Sequence, residues 1–72
     1  MDKYKKAFKF FDMNGKPVIV EVNKKYHYIL IGSGKKVHRA MFTRFTDKLA
    51  FIKKAGNLGI TPLLKSEVTI VE

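Results

Sequence analysis

The chain opens with two runs in which apolar and polar positions alternate, YKKAFKFF at 4–11 and VIVEV at 18–22, separated by DMNGK. Period-two alternation around an Asn-Gly pair predicts a β-hairpin. The loop length follows from register. A turn made of Asn14 and Gly15 alone would set Phe8 against Glu21 and Phe10 against Ile19, leaving the valines beside Lys9 and Ala7. A three-residue loop, Met13 to Gly15 with Gly15 left-handed at a bulge, instead sets Phe10 opposite Val18 and Phe8 opposite Val20. The second arrangement is the expected one, with Lys5, Ala7, Lys9, Ile19 and Glu21 on the solvated face.

YHYILIG at 26–32 has apolar residues at both parities after Asn23, Lys24 and Lys25, and reads as an interior strand whose parity stays open. The segment 35–56 admits two readings. As one helix, Val37, Met41, Phe45, Leu49 and Ile52 form a stripe at helical spacing. As strand then helix, VHRAMFTRF pairs back on the third strand, Thr46 or Asp47 caps a helix over 47–55, and Gly56 ends it. The second uses the local signals better, because Thr43 and Thr46 carry a β-branching penalty inside a helix. NLGITPLLK at 57–65 reads as a loop with a helical turn begun at Pro62, and SEVTIVE at 66–72 as a closing strand.

Together these elements predict an α+β fold. It is one small domain spanning 1–72, an antiparallel sheet of four to five strands in ββββαβ order with one helix packed on one face. A chain of 72 residues buries a thin core, and with no cysteine it has neither a disulfide framework nor a thiolate metal site. Association of two chains is compatible with such a core. The start, MDKYKKAFKFF, lacks the apolar stretch of a secretory signal, and no run reaches the ~20 apolar residues that cross a bilayer. The expectation is a cytoplasmic protein with no membrane partner.

Charge sharpens this picture. Fifteen Lys and Arg against six Asp and Glu leave +9, and no acid lies between Glu21 and Asp47. Lys24, Lys25, Lys35, Lys36, Arg39 and Arg44 all fall in that interval, so a positive surface that attracts polyanions is expected there. Tyr26 and Tyr28 interleave with these cations and could stack on bases. Thirteen of the fifteen cations are lysine, suited to phosphate; only Arg39 and Arg44 could grip a base edge with two hydrogen bonds. The expectation is DNA or RNA binding through the backbone with little sequence specificity, at those eight residues. The alternative is a small regulatory or inhibitory protein, of a phage or mobile-element kind, docking on an acidic face of a larger protein through apolar anchors such as Phe11, Leu63 and Leu64.

Two other chemistries fit poorly. GSGKK at 32–36 fails the phosphate-loop pattern, with Ile29 in place of the first glycine and Lys36 in place of the hydroxyl, and Val37 denies it the third glycine of a dinucleotide fingerprint. What remains is a turn whose glycine N–H groups, with Lys35 and Lys36, could cradle one phosphate. Ser33 and Ser66 have no His and acid nearby in sequence, and His27 and His38 lack a second ligand at metal spacing. Neither an enzyme, a metal site nor a cofactor is expected.

Overall fold

The computed structural model describes residues 6–71. Seven strands form one mixed sheet: β1 (Ala7–Asp12), β2 (Pro17–Glu21), β3 (Tyr26–Ile31), β4 (His38–Phe45), β5 (Leu49–Lys54), β6 (Ile60–Leu64) and β7 (Val68–Ile70). Their order is β2-β1-β7-β3-β4-β5-β6, and β1 with β7 is the parallel pair. Strand accounts for 59% and no α-helix is present among the described residues, which overturns the expected α+β class and its packed helix.

The first hairpin follows its predicted register. Phe8 faces Val20 and Phe10 faces Val18. Gly15 has φ +78°, and its N–H donates to the Asp12 carbonyl at 3.0 Å while Asp12 N–H donates to the Lys16 carbonyl at 2.9 Å, closing the loop over Met13–Gly15. The Asp12 carboxylate holds this turn by accepting from Asn14 and Lys16 N–H at 2.8 and 2.9 Å. Of the residues expected on the solvated face, Lys5 lies outside the described residues; Ala7, Lys9, Ile19 and Glu21 are exposed.

The predicted helix over 47–55 is strand β5 instead. LAFI is an unbroken apolar run, and periodicity alone does not separate a short buried strand from a helical segment. A helix would wind Ala50 and Phe51 off its apolar face; a strand sends Ala50 and Ile52 into the core and leaves Leu49 and Phe51 half-buried outside. Thr46 and Asp47 begin a tight hairpin, not a helix: Thr46 N–H donates to the Leu49 carbonyl at 2.8 Å, and Leu49 N–H donates to Thr46 Oγ1 at 3.1 Å.

The segment expected as a loop with a helical turn is edge strand β6. Pro62 is tolerated there for a reason visible in the ladder. Lys65 N–H donates to the Lys48 carbonyl, so the alternation of an antiparallel pair turns the Pro62 nitrogen toward the open edge, where no ladder donor is lost. On the opposite edge Asp12 pairs with Lys16 in the same way, so Pro17 occupies the equivalent position on β2. Both prolines of the chain thus blunt an edge.

The sheet is rolled. Only Lys65–Glu67, a 3₁₀ turn, separates β6 from β7, although β5, β4 and β3 lie between them in the sheet. Laid flat, those strands would be about 19 Å apart at ~4.8 Å spacing. Four residue steps reach at most about 14 Å fully extended, and less through a turn. Rolling brings Phe8 of β1 within 5.9 Å of Phe45 of β4, ring centre to ring centre. Inside lie Phe10, Val20, Ile29, Phe42, Phe45, Ile52, Val68 and Ile70 with Ala40 and Ala50, and Phe42 meets the rings of Phe10 and Phe45 at 5.1 and 5.6 Å.

Candidate functional site

The β3 parity left open by sequence resolves with His27, Ile29 and Ile31 facing the core and Tyr26, Tyr28 and Leu30 facing out. Burying two phenol hydroxyls in a core this thin would cost more than burying one imidazole beside Phe42. Tyr26 and Tyr28 therefore stand on the outer wall. Across the ladder Tyr28 faces Arg39 and Tyr26 faces Met41.

A β-bulge puts the second arginine on the same wall. Phe42 and Phe45 are three positions apart, so a regular strand would send one of them into solvent. Thr43 is the extra residue: Phe42 pairs with Ile52 and Arg44 with Phe51, and Thr43 Oγ1 donates to the Phe51 carbonyl at 3.1 Å. The insertion resets the alternation, so both rings are buried and Arg44 points outward. Each arginine lies over a ring, Arg39 Cζ 5.0 Å from the Tyr26 centroid and Arg44 Cζ 4.3 Å from that of Phe51. Such contact orders a guanidinium without consuming its in-plane donors.

The expected lysines flank this wall in two groups. Lys24 and Lys25 sit in the β2–β3 turn, at one end of β3, and Lys35 and Lys36 sit in the β3–β4 loop at the other, about 20 Å away by strand rise. They are not one cluster. Lys24 is partly neutralised by Glu21, at 3.7 Å. The glycine cradle is also corrected: Gly32 N–H donates to the Glu67 carbonyl at 2.7 Å and Gly34 N–H to the Ile31 carbonyl at 3.1 Å. Those donors are spent within the fold, so GSGKK is a turn.

Sequence reading missed Lys53 and Lys54 because it placed them on a helix. Lys53 points out between Met41 and Ile60, extending the wall one strand further. Lys54 lies in a cleft of about 290 Å³ at the end of the rolled sheet, with Lys36, His38, Arg39 and Asn57. The lowered pKa of His38 records that environment, through burial first and then the charges of Lys54 and Lys36. A signal for these residues was present. Residues 22–66 hold ten Lys and Arg and one acid, Asp47, so strands β3 to β6 carry no carboxylate at all.

Beside the wall the surface turns apolar. Leu58 is 98% exposed, and Ile60 and Leu64 project from edge strand β6. Where the rolled sheet fails to close, a groove of about 500 Å³ is lined by Phe8, Phe11, Leu64 and the cations Lys9, Lys48 and Lys65. Of the expected docking anchors, Phe11 and Leu64 are exposed and Leu63 is packed against the core.

No helix of the described residues is long and apolar enough to cross a membrane, and no group of three or more His, Cys, Asp or Glu among them could hold a metal ion. No family model, curated protein or solved structure matches the chain, so the functional reading stands on the geometry of this wall.

Proposed function

We propose that this protein binds nucleic acid through the phosphate backbone, with little sequence specificity, on the outer wall of β3, β4 and β5. The observation that carries the reading is the bulge at Thr43. It turns Arg44 to the same outer wall as Arg39, on strands without carboxylates, each guanidinium held by a ring, between lysine groups at either end. A wall about 20 Å long spans roughly six base-pair steps along a duplex axis at ~3.4 Å each. Tyr28, 47% exposed, offers a face for an unpaired base.

Binding of this kind releases counterions, so affinity falls with salt by a log slope of about 0.7 per phosphate for single strands and 0.9 for duplex. Four contacts correspond to a loss of roughly 10²-fold between 50 and 200 mM salt. Fluorescence anisotropy with single- and double-stranded DNA and RNA of mixed sequence measures this directly. Absence of binding at 50 mM salt, or a slope near zero, would defeat the proposal.

A second reading draws on the apolar strip at Leu58, Ile60 and Leu64. A small inhibitory protein would steer to an acidic face by charge and anchor there through those side chains. One protein recovered in stoichiometric amount after nuclease treatment, and lost on Leu58→Asp with Ile60→Asp, would favour it over the first.

A further inference from the structure

The outer wall is convex, but the cleft at its end is not. It lies between the β3–β4 loop and the β5–β6 loop, with Val37 and Ala55 as its apolar sides. Two cations from different segments meet there beside His38: Lys36 from the loop and Lys54 from β5. No carboxylate lines it. A recess of about 290 Å³ holds one phosphate, whereas a continuous strand presents a run of them. It suits a chain terminus.

We propose that this cleft is a subsite for a phosphate monoester at the end of a nucleic-acid strand, gripped by Lys36 and Lys54 with His38 and Asn57 as further donors. The inference rests on the wall being a nucleic-acid surface. A monoester carries up to two negative charges against one for each internal phosphodiester, so two converging lysines beside a protonatable imidazole discriminate in its favour.

His38 makes the subsite responsive to pH. It faces Lys36 from the loop and Lys54 from β5, while its cross-strand partner Ile29 is uncharged. In the free protein burial and those lysines hold its pKa below 6.5. A dianion in the cleft offsets the lysines and favours imidazolium, so the bound state takes up a proton. Affinity for the phosphorylated end therefore rises as pH falls through the bound-state pKa, until near pH 6 the phosphate itself begins to protonate.

The test compares mixed-sequence 12-mer single strands bearing a 5′-phosphate, a 3′-phosphate or neither, at constant ionic strength, at pH 6.5 and 8. Alongside, His38 is titrated by NMR with and without inorganic phosphate. The expected result is about tenfold tighter binding of a phosphorylated end at pH 6.5, a smaller advantage at pH 8, and a rise in the His38 pKa with phosphate. His38→Gln should flatten the pH dependence without altering affinity for the unphosphorylated strand; Lys36→Gln with Lys54→Gln should abolish the advantage. Equal affinity for all three strands together with an unmoved His38 overturns the subsite and leaves the wall standing. A moved His38 with no strand bound keeps the phosphate subsite and overturns the wall.

Discussion

Replacing Phe42 by alanine removes the ring at the centre of the rolled sheet. Phe42 is fully buried and touches Phe10, Phe45 and His27 at centroid distances of 5.1, 5.6 and 6.0 Å. Truncation of a buried Phe costs about 3–5 kcal/mol, from lost transfer energy and the cavity left behind. A domain of 72 residues is stable by about 4–11 kcal/mol at typical values per residue. The change therefore consumes about a quarter of the total or more. Phe42→Leu keeps most of the volume but loses ring pairs worth ~0.5–1.5 kcal/mol each, and should cost about 1–2 kcal/mol. Phe11→Ala, at a ring 50% exposed, should cost under about 1 kcal/mol. Urea denaturation at 25 °C followed by far-ultraviolet circular dichroism ranks the three. A loss below about 1.5 kcal/mol for Phe42→Ala, or a larger loss at Phe11, would refute the rolled core centred on these rings.

Other consequences concern the turns, the bulge and the edges. Gly15→Ala should destabilise by roughly 1 kcal/mol because φ is +78° although the space around it is open, and Asp12→Ala by a similar ~1 kcal/mol through two lost charge-assisted hydrogen bonds; thermal melts would show both. Deleting Thr43 leaves Phe42 and Phe45 inward and Arg44 outward on a regular strand, so the protein should still fold with a loss of about 1–2 kcal/mol; global unfolding would contradict the account of the bulge. Pro62→Val restores an N–H on the open edge of β6 and should promote self-association, read as concentration-dependent sedimentation absent from the parent.

What the sequence made legible was local. The Phe8–Phe10 and Val18–Val22 alternation fixed a hairpin and its register, because a one-residue slip would have exposed every valine. VHRAMFTRF read as a strand for another local reason, the β-branching penalty that Thr43 and Thr46 would carry inside a helix. β5 and β6 were hidden because their stability is not local: LAFI and ITPLL hold as strands by pairing with β4 and with each other. The parallel union of β1 with β7 joins the two ends of the chain, and no short-range pattern announces it. The site divides likewise. Tyr26, Tyr28, Arg39 and Arg44 were named from charge and spacing, but the bulge that turns both arginines to one face depends on two buried rings of awkward parity. Lys53 and Lys54 joined them only once the helix became a strand.

The account depends most on the wall of β3 to β5 as the polyanion surface. Its most direct measurement is the salt slope of oligonucleotide binding for two paired variants. Arg39→Gln with Arg44→Gln should lower the slope by about 1.4–1.8, two phosphate contacts' worth, whereas Lys9→Gln with Lys16→Gln on the β1–β2 hairpin should leave it unchanged. Equal reductions in both pairs, or a fall confined to the hairpin variant, would contradict it.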